Sequence, residues 1–304
     1  MNLTGMDDGP FAEFAAKLAS GGRLADADID RLAASHDILA VGMLADDVRQ
    51  ARHGRRATFV RVATFDVNQP VPDPASIAPA AGEWRILGTP TDLDGAIRIT
   101  RQLAELPARR PLSGLSLADV ERVAVVAGRT LNEALLALHE AGLEAIAYLP
   151  ADRVADLGGA LDAVQKAGMR VGRISFDGSG TAERVALLRR VAATAGAGAV
   201  RAIAPLPMTV KALGPTTGYD DVKIVALARL IVDNVPSVQV DWAVYGPKLA
   251  QVALTFGADD LDAVSPLDEV PEGRRRAPLE EVRRNIVAAG LEPVERDGRY
   301  AARG

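Results

Sequence analysis

The sequence predicts an α/β protein, a closed or partly closed TIM-type (β/α) barrel with an N-terminal helical lead-in. Three observations lead there. Apolar runs rich in β-branched residues alternate with helical apolar periods from residue 56 to about 275. The joining segments are short, so successive strands run parallel with right-handed crossovers. Six or more such units suit a ring better than an open sheet, with an open doubly wound sheet as the structural alternative.

The elements follow in order. Phe11, Phe14, Ala15 and Leu18 recur at helical spacing, a second helix covers Asp26 to Ala34, and a third covers Asp37 to His53 with Gly54 as its stop. The period then changes, and Thr58 to Phe65 reads as a strand. A loop with prolines at 70, 72, 74 and 79 runs from Asn68 to Pro79. Strands are expected at Trp84–Leu87, Leu112–Leu117, Ala145–Leu149, Met169–Phe176, Val200–Ala204, Val238–Val244 and Leu261–Ser265. Helices are expected at Leu93–Leu106, Ala118–Ala127, Leu131–Ala141, Asp152–Ala167, Thr181–Ala195, Asp220–Val235, Leu249–Phe256 and Leu279–Ala289. The tail from Glu292 to Ala302 alternates weakly. No linker divides the chain, so the lead-in (1–55), the barrel (56–275) and the C-terminal helix and tail (276–304) read as one domain.

Composition bounds the function. The chain has 304 residues, 48% of them hydrophobic and 25% charged, which suits a globular protein with one large core. A formal net charge of −5 gives no pull toward nucleic acid or an anionic membrane, so neither is an expected partner. Met1 to Pro10 lacks the basic start of a secretory signal, and no apolar run approaches the roughly 20 residues that span a bilayer. The expected location is cytoplasmic. There are no cysteines and only three histidines, His36, His53 and His139. This excludes disulfides, thiolate metal sites, cysteine nucleophiles and cysteine-held clusters together. No metal site is expected.

No Walker loop, dinucleotide fingerprint, nucleophile elbow or H-E-x-x-H helix is present. Three segments carry the candidate binding residues. Asp177, Gly178, Ser179 and Gly180 join a strand to a helix, where glycine lets backbone N–H groups approach an anion; a tight capped turn is the plain alternative. Asp241 and Trp242 end or interrupt a strand, offering a carboxylate that needs a partner and an indole for stacking or packing. Asp259, Asp260 and Asp262 place three acids in one short run, read either as a solvated turn or as ligands for a hard cation. His53, at a helix C-terminus, is read as a capping residue, and the arginines of Val270–Pro278 as a solvated loop.

Further along, Gly218-Tyr-Asp-Asp-Val-Lys-Ile-Val-Ala-Leu-Ala-Arg-Leu-Ile-Val-Asp-Asn-Val-Pro236 carries a resemblance. Trp242–Gly246, Lys248–Gln251, Phe256–Asp262 and Pro293–Tyr300 extend it. Asp37–Arg49, Arg52-His-Gly54, Ala127–Leu135 and Glu140–Leu143 fit the same pattern. These segments resemble the radical-SAM aminofutalosine synthases of menaquinone biosynthesis, with the related dehypoxanthine futalosine cyclases and deazaflavin-forming enzymes. The resemblance implies a radical-SAM-like barrel. It also implies a C-x-x-x-C-x-x-C loop after the first strand, yet that place is the cysteine-free loop from Asn68 onward. The family's Gly-Gly pair after the second strand is reduced to Leu87-Gly-Thr-Pro90. Its glycine-rich segment after the fourth strand is Tyr148-Leu-Pro-Ala-Asp152, and Pro205-Leu-Pro-Met208 lacks the expected histidine.

No iron–sulfur cluster and no SAM are therefore expected. The expected role is a non-catalytic paralogue in the futalosine route, binding a nucleoside-like or aromatic small molecule or an active synthase. The alternative is an enzyme of different, cluster-independent acid/base chemistry on the same barrel.

Overall fold

A computed structural model describes residues 9–177, 180–194, 196, 198–207, 218–270, 272–273 and 275–303. Helices α1 (Ala12–Ala19), α2 (Asp26–Ala34) and α3 (Ile38–His53) form the lead-in. The Asp37 side chain accepts from the Ala40 N–H to start α3, and Gly54, at φ 61°, ends it in a conformation that favours glycine. The ring then opens with β1 (Arg56–Asp66) and β2 (Glu83–Leu87), followed by α4 (Leu93–Ala104), β3 (Leu112–Ser116), α5 (Leu117–Val126) and α6 (Leu131–Glu140). Next come β4 (Ala145–Pro150), α7 (Leu157–Lys166), β5 (Arg170–Phe176), α8 (Thr181–Thr194) and β6 (Val200–Pro205). The ring is completed by α9 (Tyr219–Ile231), β7 (Ser237–Asp241), α10 (Trp242–Leu254) and β8 (Asp260–Val264), with α11 (Pro278–Ala288) and β9 (Glu292–Glu295) after it.

Strands β1 to β8 pair in sequence order, all parallel, and β1 closes the ring against β8. The barrel expected from the alternation is thus a closed eight-stranded one. Strand β1 is long enough for two partners along one edge. Val62–Asp66 pairs with β2, whereas Arg56–Phe59 pairs with β9. The weakly alternating tail is therefore a ninth parallel strand.

The helix previously expected to begin at Asp152 begins at Leu157, because Asp156 accepts from the Gly159 N–H and fixes the start there. The strand expected to reach Val244 stops at Asp241, whose Oδ1 accepts from the Ala243 and Val244 N–H groups and turns the chain into α10. That helix is kinked at Gly246 (φ 71°) before Pro247, so the helix expected from Leu249 is its second half. Eleven residues of α9, Asp221 to Ile231, are buried, and this helix is the hub of the outer layer. Lys223 Nζ reaches back to the carbonyls of Ala33 and Ser35 at the end of α2, at 2.5 and 2.7 Å, where a cation suits the helix dipole. Among the described residues no helix is long and apolar enough to cross a membrane.

The segment after β9 folds under the barrel. Asp297 Oδ1 accepts from the N–H groups of Arg299 and Ala301, and Arg296 bridges Ala302 in an antiparallel pair. This small loop sits against the amino ends of the strands, with the Gly298 N–H donating to the Gly82 carbonyl. It needs glycine at 298, since a Cβ there would lie 2.8 Å from Glu83 Cγ. The loop sends Arg296 and Tyr300 up into the lumen. Arg296 forms a bidentate pair with buried Asp260, Nε to Oδ1 at 2.7 Å and Nη2 to Oδ2 at 2.6 Å, and its guanidinium lies 3.7 Å from the centre of the Tyr300 ring. Arg296→Ala leaves Asp260 charged and buried without its partner. The expected loss is about 3–5 kcal/mol of stability, read by urea denaturation.

Candidate functional site

The barrel lumen is charged. Each interior level is built from residues that face one another across parallel register pairs. In the lower level, Thr58 and Gln239 flank Asp260 in register. Thr58 Oγ1 donates to Asp260 Oδ1 at 2.5 Å, and Gln239 Nε2 donates to Oδ2 at 2.6 Å. The space left among Glu83, Arg85, Ser113, Arg173, Gln239, Arg296 and Tyr300 is only about 20 Å3. That half of the barrel is packed, as is usual for TIM barrels, but with guanidinium and carboxylate groups in place of aliphatic layers.

One level higher, Asp262 is shared by two arginines. Arg85 donates to it through Nη1 at 2.7 Å and Nη2 at 2.9 Å, and Arg173 pairs with it from the opposite wall. Arg85 also holds Glu83, Nη2 to Oε1 at 2.7 Å, and the Ser113 hydroxyl donates to the same carboxylate. Arg173 bonds Gln239 at 3.0 Å and reaches Asp241 Oδ2 at 3.4 Å. The Tyr148 ring lies beside both cations, 4.3 Å from the Arg173 guanidinium and 5.9 Å from that of Arg85. Burial alone raises the carboxyls of Glu83 and Asp260. The opposing arginine charges, Arg85 on Glu83 and Arg296 on Asp260, together with their hydrogen bonds, outweigh it and hold both below the usual carboxylate range.

Above this level the lumen opens toward the carboxyl ends of the strands. Thr64 pairs in register with Arg85 and Asp66 with Leu87, so both face inward, and both are exposed. Tyr148 and Asp241 are half-buried. Two residues at this end hold left-handed backbone that favours glycine, Leu115 near the end of β3 (φ 62°) and Ala263 within β8 (φ 57°). Arg173 is 4% exposed, and its Nε has no hydrogen-bond partner among the described residues. This mouth presents a hydroxyl, an aromatic ring and carboxylates around an accessible space, with the buried Arg173 guanidinium beneath it.

The candidate residues are dispersed over this frame. Asp177 is exposed at the end of β5, on the rim, and Gly180 lies just before α8. Gly178 and Ser179 lie outside the described residues. Asp241 does not interrupt a strand but ends β7, caps α10 and meets Arg173. Trp242 is buried in the core at the first turn of α10. Asp259, Asp260 and Asp262 do not converge. Asp260 and Asp262 each pair with their own lumen arginines, while Asp259 turns outward to Arg229 and accepts from the Val238 N–H at 2.8 Å. Among the described residues no three His, Asp or Glu side chains stand together to hold a metal. His53 is the last residue of α3, with Nε2 3.1 Å from the Pro236 carbonyl and 3.7 Å from Asp259. Burial lowers its pKa despite that carboxylate, so the ring bridges α3 to the β7 loop more than it serves as a charged cap.

Arg85, Arg173, Tyr148, Gln239, Arg296 and Tyr300 were not singled out by sequence. The available signal was a charge in the middle of a short apolar strand, Arg85 in Glu83–Leu87 and Arg173 in Arg170–Phe176. Such a charge must find a partner inside.

The loop after β1 is held by hydrogen bonds. Asp66 Oδ1 accepts from the Asn68 N–H. Asn68 in turn donates to the Thr89 carbonyl and accepts from the Thr91 N–H and hydroxyl, tying this loop to the one after β2. Farther on, Arg110 donates to the carbonyls of Pro79 and Ala81, and Arg303 to that of Ala80. A radical-SAM cluster needs three thiolates here, and the chain offers none, so the residues present do not fit that group.

Comparison with known proteins agrees with this frame. The family model of the CofH/MqnC C-terminal region matches residues 208–304. The aminodeoxyfutalosine synthase of Thermus thermophilus is 39% identical over 93 residues, 28% of this chain and 24% of that protein. The 5-amino-6-(D-ribitylamino)uracil–L-tyrosine 4-hydroxyphenyl transferase 1 of Methanosarcina barkeri is 37% identical over 92 residues, 28% of this chain and 24% of that one. The matched stretch thus spans about a quarter of the length of these relatives. The solved structure of methylornithine synthase (PylB) superposes with a TM-score of 0.68 at 15% identity, covering 92% of this chain and 97% of that one. The maturase HydG of Carboxydothermus hydrogenoformans gives 0.63 at 12% identity, covering 96% and 81%. These two show the fold. The C-terminal third of this cysteine-free chain is thus similar to the aminofutalosine-synthase and deazaflavin-type enzymes, and the whole chain folds as a radical-SAM-like barrel.

Two outcomes follow from the lumen. Asp262→Asn removes the shared anion from two buried arginines and is expected to cost about 3–5 kcal/mol, read by denaturant titration. Because Glu83 and Asp260 sit below their ordinary range when folded, the unfolded chain binds more protons in acid. Their contribution is complete above the unfolded values near 4 and is lost as pH falls through the lower folded values, so the melting midpoint is expected to drop below about pH 4.

Proposed function

We propose that this chain serves the futalosine route to menaquinone as a non-catalytic binding protein, holding a nucleoside-like or aromatic small molecule at the carboxyl mouth of its barrel. The observation that carries this reading is the unspent Arg173 Nε beneath an open, polar mouth. A buried guanidinium N–H left unpaired costs free energy that a ligand oxygen recovers. Tyr148 supplies a π-surface beside it, and Thr64 and Asp66 supply hydrogen-bonding groups on the accessible wall. The kinship of residues 208–304 with enzymes named for aminodeoxyfutalosine and for a ribitylaminouracil supports a ligand with a ring and a polyhydroxylated arm.

The acid/base alternative has less support. Asp259, Asp260 and Asp262 are each paired with arginine, and Asp241 is divided between Arg173 and the cap of α10. Their roles are positional. Radical cleavage of SAM is excluded from the reading because no thiolate exists to hold an electron-donating cluster. Ligand binding needs no further group.

Calorimetric titration with aminodeoxyfutalosine and with its enolpyruvyl benzoate precursor tests the reading. Saturable binding of at least one, weakened tenfold or more by Arg173→Gln or Tyr148→Ala, is expected. Absence of binding by both, with an active synthase also failing to co-purify, overturns it. Anaerobic reconstitution with iron and sulfide is expected to leave the protein without a cluster's visible absorption; stoichiometric incorporation of both defeats the non-catalytic part.

A further inference from the structure

The amino face of the barrel carries a second cationic cavity, remote from the mouth discussed above. It has a volume of about 410 Å3 and lies among Glu83, Glu144, Arg170, Arg201, Gly298 and Arg299, with His139 and Gly168 at its edge. The strands β5 and β6 place Arg170 and Arg201 on its wall. The residue registered opposite Arg201 is Gly172, because Val171 pairs with Val200 and Arg173 with Ala202. A glycine there leaves the wall concave; a Cβ would lie 3.2 Å from the Ala147 carbonyl oxygen.

The charges do not balance. Glu83 is occupied by Arg85, and Glu144 is shared by Arg109 at 3.0 Å and Arg299 at 2.6 Å. Arg170 and Arg201 have no hydrogen bond or ion pair among the described residues; Arg201 only rests over the Tyr300 ring, 5.7 Å from its centre. Arg201 is half-buried, and burial followed by the charge of Arg170 lowers its pKa. Nearby Arg296 adds a further positive charge. The His139 ring, with Nδ1 3.1 Å from the Leu143 carbonyl, has Nε2 close to Gly168 at the cavity edge. Like charges gathered in a cavity without counter-charges are a cost to the folded chain, and an anion with several oxygens removes it.

We propose that this cavity is a binding site for a phosphate group, held between the guanidinium forks of Arg170 and Arg201 with Arg299 at its open side. Arginine suits this task because its planar donors match phosphate oxygens in pairs. The volume accommodates more than the ion alone, so the source is free phosphate or a small phosphorylated molecule. Its lining by Gly298 and Arg299 places the ligand on the loop that plugs the lumen from below, so occupancy also braces that plug.

The test uses the full chain in titrations with inorganic phosphate and with ribose 5-phosphate, against sodium chloride of equal ionic strength. A saturable rise in melting temperature and calorimetric binding are expected for phosphate. Ribose 5-phosphate binding more tightly identifies a phosphorylated molecule as the source, and equal or weaker binding identifies the free ion. Arg170→Gln, at an exposed position that cannot compromise folding, is expected to weaken binding at least tenfold, and Arg170→Gln/Arg201→Gln to abolish it. Phosphate acting no differently from chloride, or native binding by Arg170→Gln, overturns the proposal. The Arg170 variants tie the signal to this cavity, since Arg170 lines it and lies far from the carboxyl mouth.

Discussion

The sharing of Asp262 between Arg85 and Arg173 is the interaction on which the barrel interior depends. Those three groups come from β8, β2 and β5, strands that are not neighbours in the ring, so the contact sets the distance across the lumen. Glu83, Gln239, Asp241 and Tyr148 are arranged around it, and through Gln239 it connects to Asp260, Arg296 and Tyr300 below. An aliphatic interior would be at least as stable on its own, since burying ions costs several kcal/mol each before they attract one another. What the ionic lumen gives instead is direction. Each guanidinium fork fixes its carboxylate in one orientation, and the polar mouth above inherits a rigid floor.

The outer layer depends on a different arrangement. Helix α9, which lies within the stretch that matches the CofH/MqnC C-terminal region, contributes no group to the mouth. Its polar residues hold other elements together: Asp221 meets Arg184 of α8, Lys223 caps α2, and Arg229 gathers Gly257, Pro236 and Asp259. The helix thus braces the barrel from outside. The segment after β1 is held separately, by Asn68 and by Arg110 and Arg303.

Much of this was legible in sequence. The order of strands and helices, the helical start and the barrel came from periodicity, because a strand sealed on both faces and a helix sealed on one leave different apolar rhythms. The absence of cysteine is plain from composition alone. The strand-to-helix boundary at Asp241 was misread because its carboxylate acts through backbone N–H groups that apolar rhythm does not register. The candidate acids were placed in one run, yet Asp259 stands just before β8 and Asp260 opens it, and successive residues of extended chain face opposite ways. Arginines entered the reading only as solvated surface. The lumen arginines find partners up to 177 residues away, as between Arg85 and Asp262, and pairing at that range is invisible until the ring is closed.

The loop from Arg296 to Arg303 has a consequence for the order in which the molecule is made. Strand β1 needs β9 along half of one edge, and Asp260 needs Arg296, so elements near opposite ends of the sequence complete each other. Contacts of such high sequence separation form late and slow the search for the native state. While the chain is being synthesised, β1 to β8 emerge with an acid uncompensated in the lumen and an open edge on β1. The ring of β1 to β8 can close before the tail is made, but the start of β1 and the Asp260 carboxylate are completed only by the last residues.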